Sequence, residues 1–270
     1  MSRPFAEVIG DPIAHSKSPL IHRFWLDRLG IDGDYRATRV APADLGRYFA
    51  ERRGDADWRG CNVTVPHKLA ALDHVADPQG LRDTIGAINT VFRGEDGALV
   101  GTNTDAAGFH APIAARDLAG RPVCVVGAGG AARAVLFALA RAGVGPVTLL
   151  NRDVAKGAAL LDGFGLEGEA RPLSAEVPAA ALLVNASTLG MTGQPPLEID
   201  LSPLEAGACV YDLVYAPVET PLLAQARRRG LDAVDGLQML IGQAALAFAL
   251  LFGAEPPRDA DEVLRQRLLA

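Results

Sequence analysis

Cysteine is scarce in this 270-residue chain: there are three, Cys61, Cys124 and Cys209, far apart and set in apolar stretches. An odd number at such spacing fits buried thiols in a reducing cytoplasm better than disulfides. No two cysteines stand at metal-ligand spacing, and the five histidines form neither a His-Glu-x-x-His helix nor a Cys/His box, so no metal site is expected. Charge of one sign is lacking too. Lysine and arginine number 26 against 32 aspartates and glutamates, for a net charge of -6 with no long run of either sign. That balance argues against nucleic acid or an anionic membrane as partner. The longest apolar stretch, Ala244 to Phe252, is about half of a membrane span. Met1-Ser2-Arg3-Pro4 leads into a strand-like Phe5 to Ile9 without the apolar core of a signal peptide, and a cytoplasmic location is the expectation.

What is present is a strongly apolar chain, 49% hydrophobic, with 29 glycines and 18 prolines that suggest many short, sharp connections. Short β-type runs alternate with helical patterns: Val8-Ile9, Tyr35 to Thr38, Cys61 to Thr64, Ile88 to Val91, Val123 to Val126, Val147 to Leu150, Leu182 to Ala186 and Val210 to Val214. Such alternation predicts an α/β fold with mostly parallel sheets. A hairpin interrupts it, with Asp96-Gly97 turning the run that ends at Phe92 back into Leu99-Val100. Asp105 to Leu118 reads as a connecting helix, and after Gly236 come a long apolar helix to Phe252 and a terminal helix, Asp259 to Leu269. Two α/β domains follow, residues 1–104 with 237–270 and residues 105–236, the first discontinuous because the last helices return to it.

The apolar strand Val123 to Val126 runs straight into Gly127-Ala128-Gly129-Gly130-Ala131-Ala132 and then a helical Arg133 to Arg141. Strand, glycine turn and helix together predict a Rossmann dinucleotide site: one glycine permits the tight turn, the next admits a pyrophosphate, and the helix start favours its charge. A glycine-rich turn needed only for close helix packing is the plainer alternative. The following strand ends in Asn151-Arg152-Asp153, where an adenosine ribose belongs. Arg152 and Lys156 favour the 2'-phosphate of NADP; Asp153 favours a free 2'-hydroxyl and leaves NAD open, unless it merely caps the helix that starts at Val154.

Three polar clusters follow strands of the other domain: His15-Ser16-Lys17-Ser18-Pro19, Asn62-Val63-Thr64-Val65-Pro66-His67-Lys68 and Thr102-Asn103-Thr104-Asp105. Ligand sites in open α/β sheets sit at such strand ends. With Gly86-Ala87-Ile88-Asn89-Thr90, the Gly127 turn, Asn151-Arg152 and Asp235-Gly236-x-x-Met239-Leu240-x-x-Gln243, these segments span positions 15 to 243, and in this order they resemble the shikimate dehydrogenase family. The resemblance implies a substrate domain (1–104 plus 237–270), an NADP-binding Rossmann domain (105–236), a cleft between them, and reversible NADPH-dependent reduction of 3-dehydroshikimate to shikimate in aromatic amino-acid biosynthesis.

By that resemblance Lys68 and Asp105 are the catalytic pair, the ammonium exchanging a proton with the alkoxide and the carboxylate orienting it. On residue type alone Lys68 reads as a helix surface cation and Asp105 as an N-cap. Ser16 and Ser18 resemble the hydroxyls that grip the substrate carboxylate, although Ser18 before Pro19 also reads as an N-cap. Lys17 between them reads as a solvated loop cation. Thr64, Asn89, Tyr215 and Gln243 resemble the remaining substrate contacts. On the cofactor side the resemblance implies Gly127, Ala128, Gly129, Gly130, Ala131, Asn151, Arg152, Lys156, Ser187, Thr188, Val214 and Gly236, with Val214 against the nicotinamide and Gly236 admitting the ring or simply turning the chain before its last long helix. Asp153 stands where NADP-using members usually carry Thr, and Lys156 where they usually carry Arg. The intact Ser16-Lys17-Ser18 favours shikimate over quinate.

Three other functions fit parts of the pattern. An NAD-preferring quinate/shikimate dehydrogenase shares the chemistry. A non-catalytic dinucleotide sensor would be expected to lose Lys68 or Asp105, and both are present. A one-carbon folate dehydrogenase has a similar layout but no use for the serine cluster. The partner expected is a small-molecule substrate, with the chain a monomer or homodimer.

Overall fold

The computed structural model describes residues 3–269. The chain forms two compact units, Met1–Thr104 with Ile241–Ala270, and Asp105–Leu240. The units divide at 104/105 and, inside the long apolar helix, at 240/241, where the sequence suggests divisions at 104/105 and 236/237.

The first unit contains β1 (Phe5–Gly10), α1 (Ser18–Leu29), β2 (Asp34–Arg39), α2 (Leu45–Arg53), β3 (Trp58–Val63), the single-turn α3 (Leu81–Thr84), β4 (Thr90–Arg93) and β5 (Leu99–Thr102). Its sheet has the order β2-β1-β3-β4-β5. The first three strands are parallel and the last two antiparallel. β4 and β5 are joined by the expected hairpin, where Gly97 has φ of +80° and Asp96 accepts the Ala98 N–H at 2.9 Å. Ala6, Val8, Ile13 and Tyr35 pack against Ala247 and Leu251 of the returning helix.

The second unit contains α4 (Asp105–His110), β6 (Val123–Val126), α5 (Gly130–Arg141), β7 (Val147–Asn151), α6 (Val154–Gly163), β8 (Gly168–Pro172), β9 (Leu182–Asn185), β10 (Cys209–Asp212), α7 (Pro221–Arg228), β11 (Asp232–Val234) and the start of α8 (Gly236–Phe252). α9 (Asp261–Leu269) ends the described chain and belongs to the first unit. The sheet order is β11-β10-β9-β6-β7-β8, with every neighbouring pair parallel. Numbered within the unit this is 6-5-4-1-2-3, the doubly wound Rossmann order with its switch point between β6 and β9. Val123, Val125, Leu149, Leu182 and Val184 face one core, and Cys124, Val126, Leu150, Leu183 and Val210 the other, so both faces of the sheet are covered.

Several sequence expectations are corrected. The helix expected over Asp105–Leu118 stops at His110 and continues only as the 3-10 turn Ala111–Ile113. Pro112 has no N–H to continue the ladder, and its ring collides with the carbonyl four residues back. α5 begins at Gly130 rather than Arg133, which leaves a shorter glycine turn. α8 begins one residue early, at Gly236, and the terminal helix begins at Asp261 after a 3-10 turn. β8 and β11 were absent from the expected strands, being short edge strands without an apolar run. The runs expected to reach Ala186 and Val214 end at Asn185 and Asp212, because those side chains accept the N–H two residues ahead, from Ser187 at 3.1 Å and Val214 at 3.0 Å. All three cysteines are buried and free. Among the described residues no helix is long and apolar enough to cross a membrane, and no cluster of His, Cys, Asp and Glu could hold a metal.

Candidate active site

In the first unit the polar clusters converge on one end of the sheet. β1 and β3 are parallel neighbours, so their carboxyl ends emerge side by side. The loops beyond them stay paired, with Thr64 N–H donating to the Ile9 carbonyl at 2.9 Å and Asp11 N–H to that of Val65 at 3.0 Å. Because β4 and β5 run antiparallel, Asn89 precedes β4 and Thr104 follows β5 at that same end. The Lys68 carbonyl accepts the Ile88 N–H at 2.8 Å, tying the Lys68 turn to the segment that carries Asn89. Ser16, Ser18, Thr64, Lys68, Asn89 and Gln243 are thereby gathered in one unit, at the end of its parallel strands where open α/β sheets take their ligands.

Asn89 is the hub of that end. Its Oδ1 accepts the Thr104 N–H at 2.7 Å and the Thr90 hydroxyl at 3.1 Å, and its Nδ2 donates to Thr104 Oγ1 at 2.9 Å and to Gln243 Oε1 at 3.2 Å. Thr90 is held in turn by Asn62 Nδ2 at 3.0 Å, and Asn62 Oδ1 accepts the Tyr35 hydroxyl at 2.5 Å. Asn62, Thr90 and Thr104 were not singled out from sequence as site residues. All three lie inside the polar segments of the sequence, but their roles depend on strand register. Asn103, also within a motif, donates to the Ala87 carbonyl at 2.9 Å and fixes the approach to Asn89.

The serine segment is a turn in which Ser16 Oγ accepts the Ser18 N–H at 3.3 Å. Ser18 is therefore not the N-cap of α1, and Pro19 follows it inside the first helical turn. Lys17 is not a solvated loop cation: its ammonium donates to the Leu268 carbonyl in the last turn of α9, where a cation suits the helix end. Lys68 lies half-buried in a turn after β3, not on a helix, and Asp105 is buried at the first position of α4 in the second unit. Tyr215 belongs to the second unit as well, half-buried after β10, where burial raises the pKa of its hydroxyl.

In the second unit Gly127 follows β6 with φ of +103°, a conformation that other residues rarely adopt. A Cβ there would lie 3.0 Å from Ser187 N, so the turns after β6 and β9 touch at the switch point. Gly129 is the opposite case: a Cβ would meet no protein atom within 4 Å. The turn thus presents open space directly before the N-terminus of α5, where Gly130 and Ala131 begin the helix and Ala128 is buried behind it. That arrangement fits a pyrophosphate, which needs free backbone N–H groups and the positive end of a helix dipole.

Asn151 Nδ2 donates to the Asp153 carbonyl at 2.8 Å, and Asp153 Oδ1 accepts the Lys156 N–H at 3.0 Å as the N-cap of α6. Arg152 and Lys156 are exposed beside this turn. Thr188 is exposed, and Ser187 Oγ donates to Asn185 Oδ1 at 2.7 Å. Val214 is buried. At Gly236 a Cβ would stand 2.4 Å from the Leu213 carbonyl oxygen and 2.6 Å from that of Val214. The close approach that Gly236 permits is to the protein's own backbone.

A six-stranded parallel sheet in this order, with a positive-φ glycine turn at its switch point, defines a dinucleotide-binding oxidoreductase fold, here joined to a second α/β unit. Comparison with known proteins is specific. Residues 8–91 match the shikimate dehydrogenase substrate binding domain and residues 236–262 the shikimate 5'-dehydrogenase C-terminal domain. A shikimate dehydrogenase (NADP(+)) of Sphingopyxis alaskensis is 64% identical over 99% of this chain and 97% of its own. Among solved structures, shikimate 5-dehydrogenase of Thermus thermophilus in complex with NADP(H) and shikimate shares 39% identity over 98% of this chain and 100% of its own, with a TM-score of 0.86. The ligand-free 5-ketofructose reductase of a Gluconobacter strain shares 29% identity over 99% of this chain and 98% of its own, with a TM-score of 0.88. The chain belongs to the shikimate dehydrogenase family.

Proposed function

We propose that the protein catalyses the reversible, NADPH-dependent reduction of 3-dehydroshikimate to shikimate, with Lys68 and Asp105 as its proton-transfer pair. It is an NADP-linked oxidoreductase acting on a CH–OH group, in the pathway that leads to aromatic amino acids. The observation that carries the residue assignment is the gathering of Ser16, Ser18, Thr64, Lys68, Asn89 and Gln243 at one end of the first unit's sheet. Neutral donors and one cation at one end of a sheet suit a small polyhydroxy acid. In a chain of net charge -6 they must hold an anion against the overall field.

Residues 1–104 with 237–270 serve as the substrate domain and 105–236 as the NADP domain. Ser16 and Ser18 bind the substrate carboxylate, and Thr64, Asn89, Tyr215 and Gln243 its hydroxyls. The Lys68 ammonium donates a proton to the oxygen that becomes an alcohol and takes it back in the oxidation direction, while Asp105 keeps the ammonium oriented. When bound, the reduced nicotinamide supplies the hydride. The Gly127–Ala131 turn receives the pyrophosphate, Asn151, Arg152 and Lys156 the adenosine ribose and its 2'-phosphate, and Ser187, Thr188, Val214 and Gly236 the nicotinamide end. The Asp153 carboxylate is engaged at the N-cap of α6, and that supports NADP over NAD. We place the enzyme in the cytoplasm, as a monomer or homodimer.

Steady-state kinetics with shikimate and quinate, each against NADP and NAD, test the reading. The expected outcome is turnover of shikimate with kcat/KM at least about tenfold higher for NADP than for NAD, equivalent to about 1.4 kcal/mol of transition-state discrimination. Preference for quinate with NAD, or no turnover of shikimate, overturns it.

A further inference from the structure

Asp212 is fully buried at the end of β10, and donors hold both oxygens of its carboxylate. Oδ1 accepts Asn185 Nδ2 at 2.9 Å and the Val214 N–H at 3.0 Å, while Oδ2 accepts the Thr220 hydroxyl at 2.6 Å. Asn185 is its register partner on β9, and the oxygen of that amide takes both the N–H and the hydroxyl of Ser187. Thr220 caps α7 by accepting the Leu223 N–H at 3.3 Å. Ser187 N lies 3.0 Å from the Cβ position of Gly127, so the network reaches the glycine turn at the switch point.

A structural carboxylate could sit anywhere along a buried strand. This one sits where three strand-end segments meet, the turn after β6, the turn after β9 and the loop after β10, and it bonds directly or through one amide to two of them. We infer that Asp212 is a positioning residue for the cofactor, holding Val214 and, through Asn185, Ser187 at the nicotinamide end of the site. The inference rests on the reading that this unit binds NADP at the ends of β6, β9 and β10. A residue of this kind acts on cofactor affinity and leaves the binding of substrate by the other unit's residues unchanged.

The test uses the full-length protein: fluorescence titration with NADPH and steady-state KM for shikimate, for wild type, Asp212→Ala, Asp212→Asn, Asn185→Ala and the double alanine variant. Asp212→Ala and Asn185→Ala are each expected to weaken NADPH binding about tenfold, while the KM for shikimate rises by less than about threefold, since of the proposed substrate contacts Tyr215 alone lies on the loop that Asp212 holds. The double variant should be little worse than the worse single, because both changes cut one network. Asp212→Asn keeps an oxygen for Asn185 and Val214 and turns an amide towards Thr220 Oγ1, so it should recover NADPH affinity to within about threefold. If Asp212→Ala does not fold, Asn185→Ala and Asp212→Asn still decide the matter. Wild-type NADPH affinity in a folded Asp212→Ala or Asn185→Ala protein overturns the inference, as does equal loss of NADPH and shikimate binding. A wild-type protein that does not bind NADPH overturns the functional reading itself, and the two failures are distinct.

Discussion

Asn89 and Gln243 stand 154 positions apart in the chain, and Nδ2 of the first donates to Oε1 of the second across 3.2 Å. With Thr90 and Thr104, this bond engages both atoms of the Asn89 amide inside the protein. Asn89 is therefore part of the frame as well as a proposed substrate contact. Asn89→Ala would leave the buried Thr104 N–H without its acceptor, and an orphaned buried donor costs about 1–3 kcal/mol. We expect Asn89→Ala to lose about 2 kcal/mol in urea unfolding and Gln243→Ala less than half of that, with both raising the KM for shikimate. Equal stability of the two variants would contradict the hub role.

Lys68→Ala is expected to lower kcat by about 10²–10⁴-fold, the range for a lost general acid, with the KM for shikimate within about threefold of wild type. Asp105→Asn should fall in kcat as well but by a smaller factor, because the ammonium remains and only its orientation suffers. Steady-state kinetics in both reaction directions measure these effects. A Lys68→Ala enzyme that keeps most of its turnover removes Lys68 from the mechanism.

Asp153 separates two roles that the same residue could fill. Its carboxylate accepts the Lys156 N–H at the start of α6, and loss of such a cap costs about 1 kcal/mol. Asp153→Ala is expected to lower stability by that amount and to leave the ratio of kcat/KM for NADP over NAD within about threefold. If the carboxylate instead faced the ribose, removing it would raise NADP preference tenfold or more at little cost in stability. Thermal unfolding and cofactor kinetics on one variant distinguish the two.

What the sequence made legible was local. Val123 to Val126 followed by Gly127 fixed a strand, a turn and a helix because each residue carries its own conformational preference, and the hairpin at Asp96-Gly97 followed for the same reason. Roles that depend on register stayed hidden. Asp212 is one carboxylate at the end of an apolar run, and it acquires meaning only because β10 pairs it with Asn185. The edge strand β8 reads Gly168-Glu169-Ala170-Arg171-Pro172 and offers no apolar pattern, since an edge is held by one neighbour and faces water. Lys17 sits 251 positions from the carbonyl it binds, beyond the reach of any local rule.

His22 supplies a prediction about acid stability. It is fully buried on α1, stacked on Tyr35 with ring centroids 3.9 Å apart, and neither ring nitrogen has a hydrogen-bond partner among the described residues. Burial lowers its pKa from 6.5 to about 3, so the imidazole stays neutral in the folded protein down to that pH. In the unfolded chain it takes up a proton below about 6.5. Between these values the unfolded state binds more protons, and stability is lost as pH falls from about 6.5 towards about 3, by an amount on the order of 4 kcal/mol from this residue alone. His22→Phe keeps an aromatic ring between Tyr35 and Phe248 and removes two buried nitrogens without partners. We expect it to match or exceed wild-type stability at pH 7.5 and to show a shallower fall in urea midpoint between pH 7 and pH 4. Parallel pH profiles for the two proteins would show that His22 does not set the acid limit.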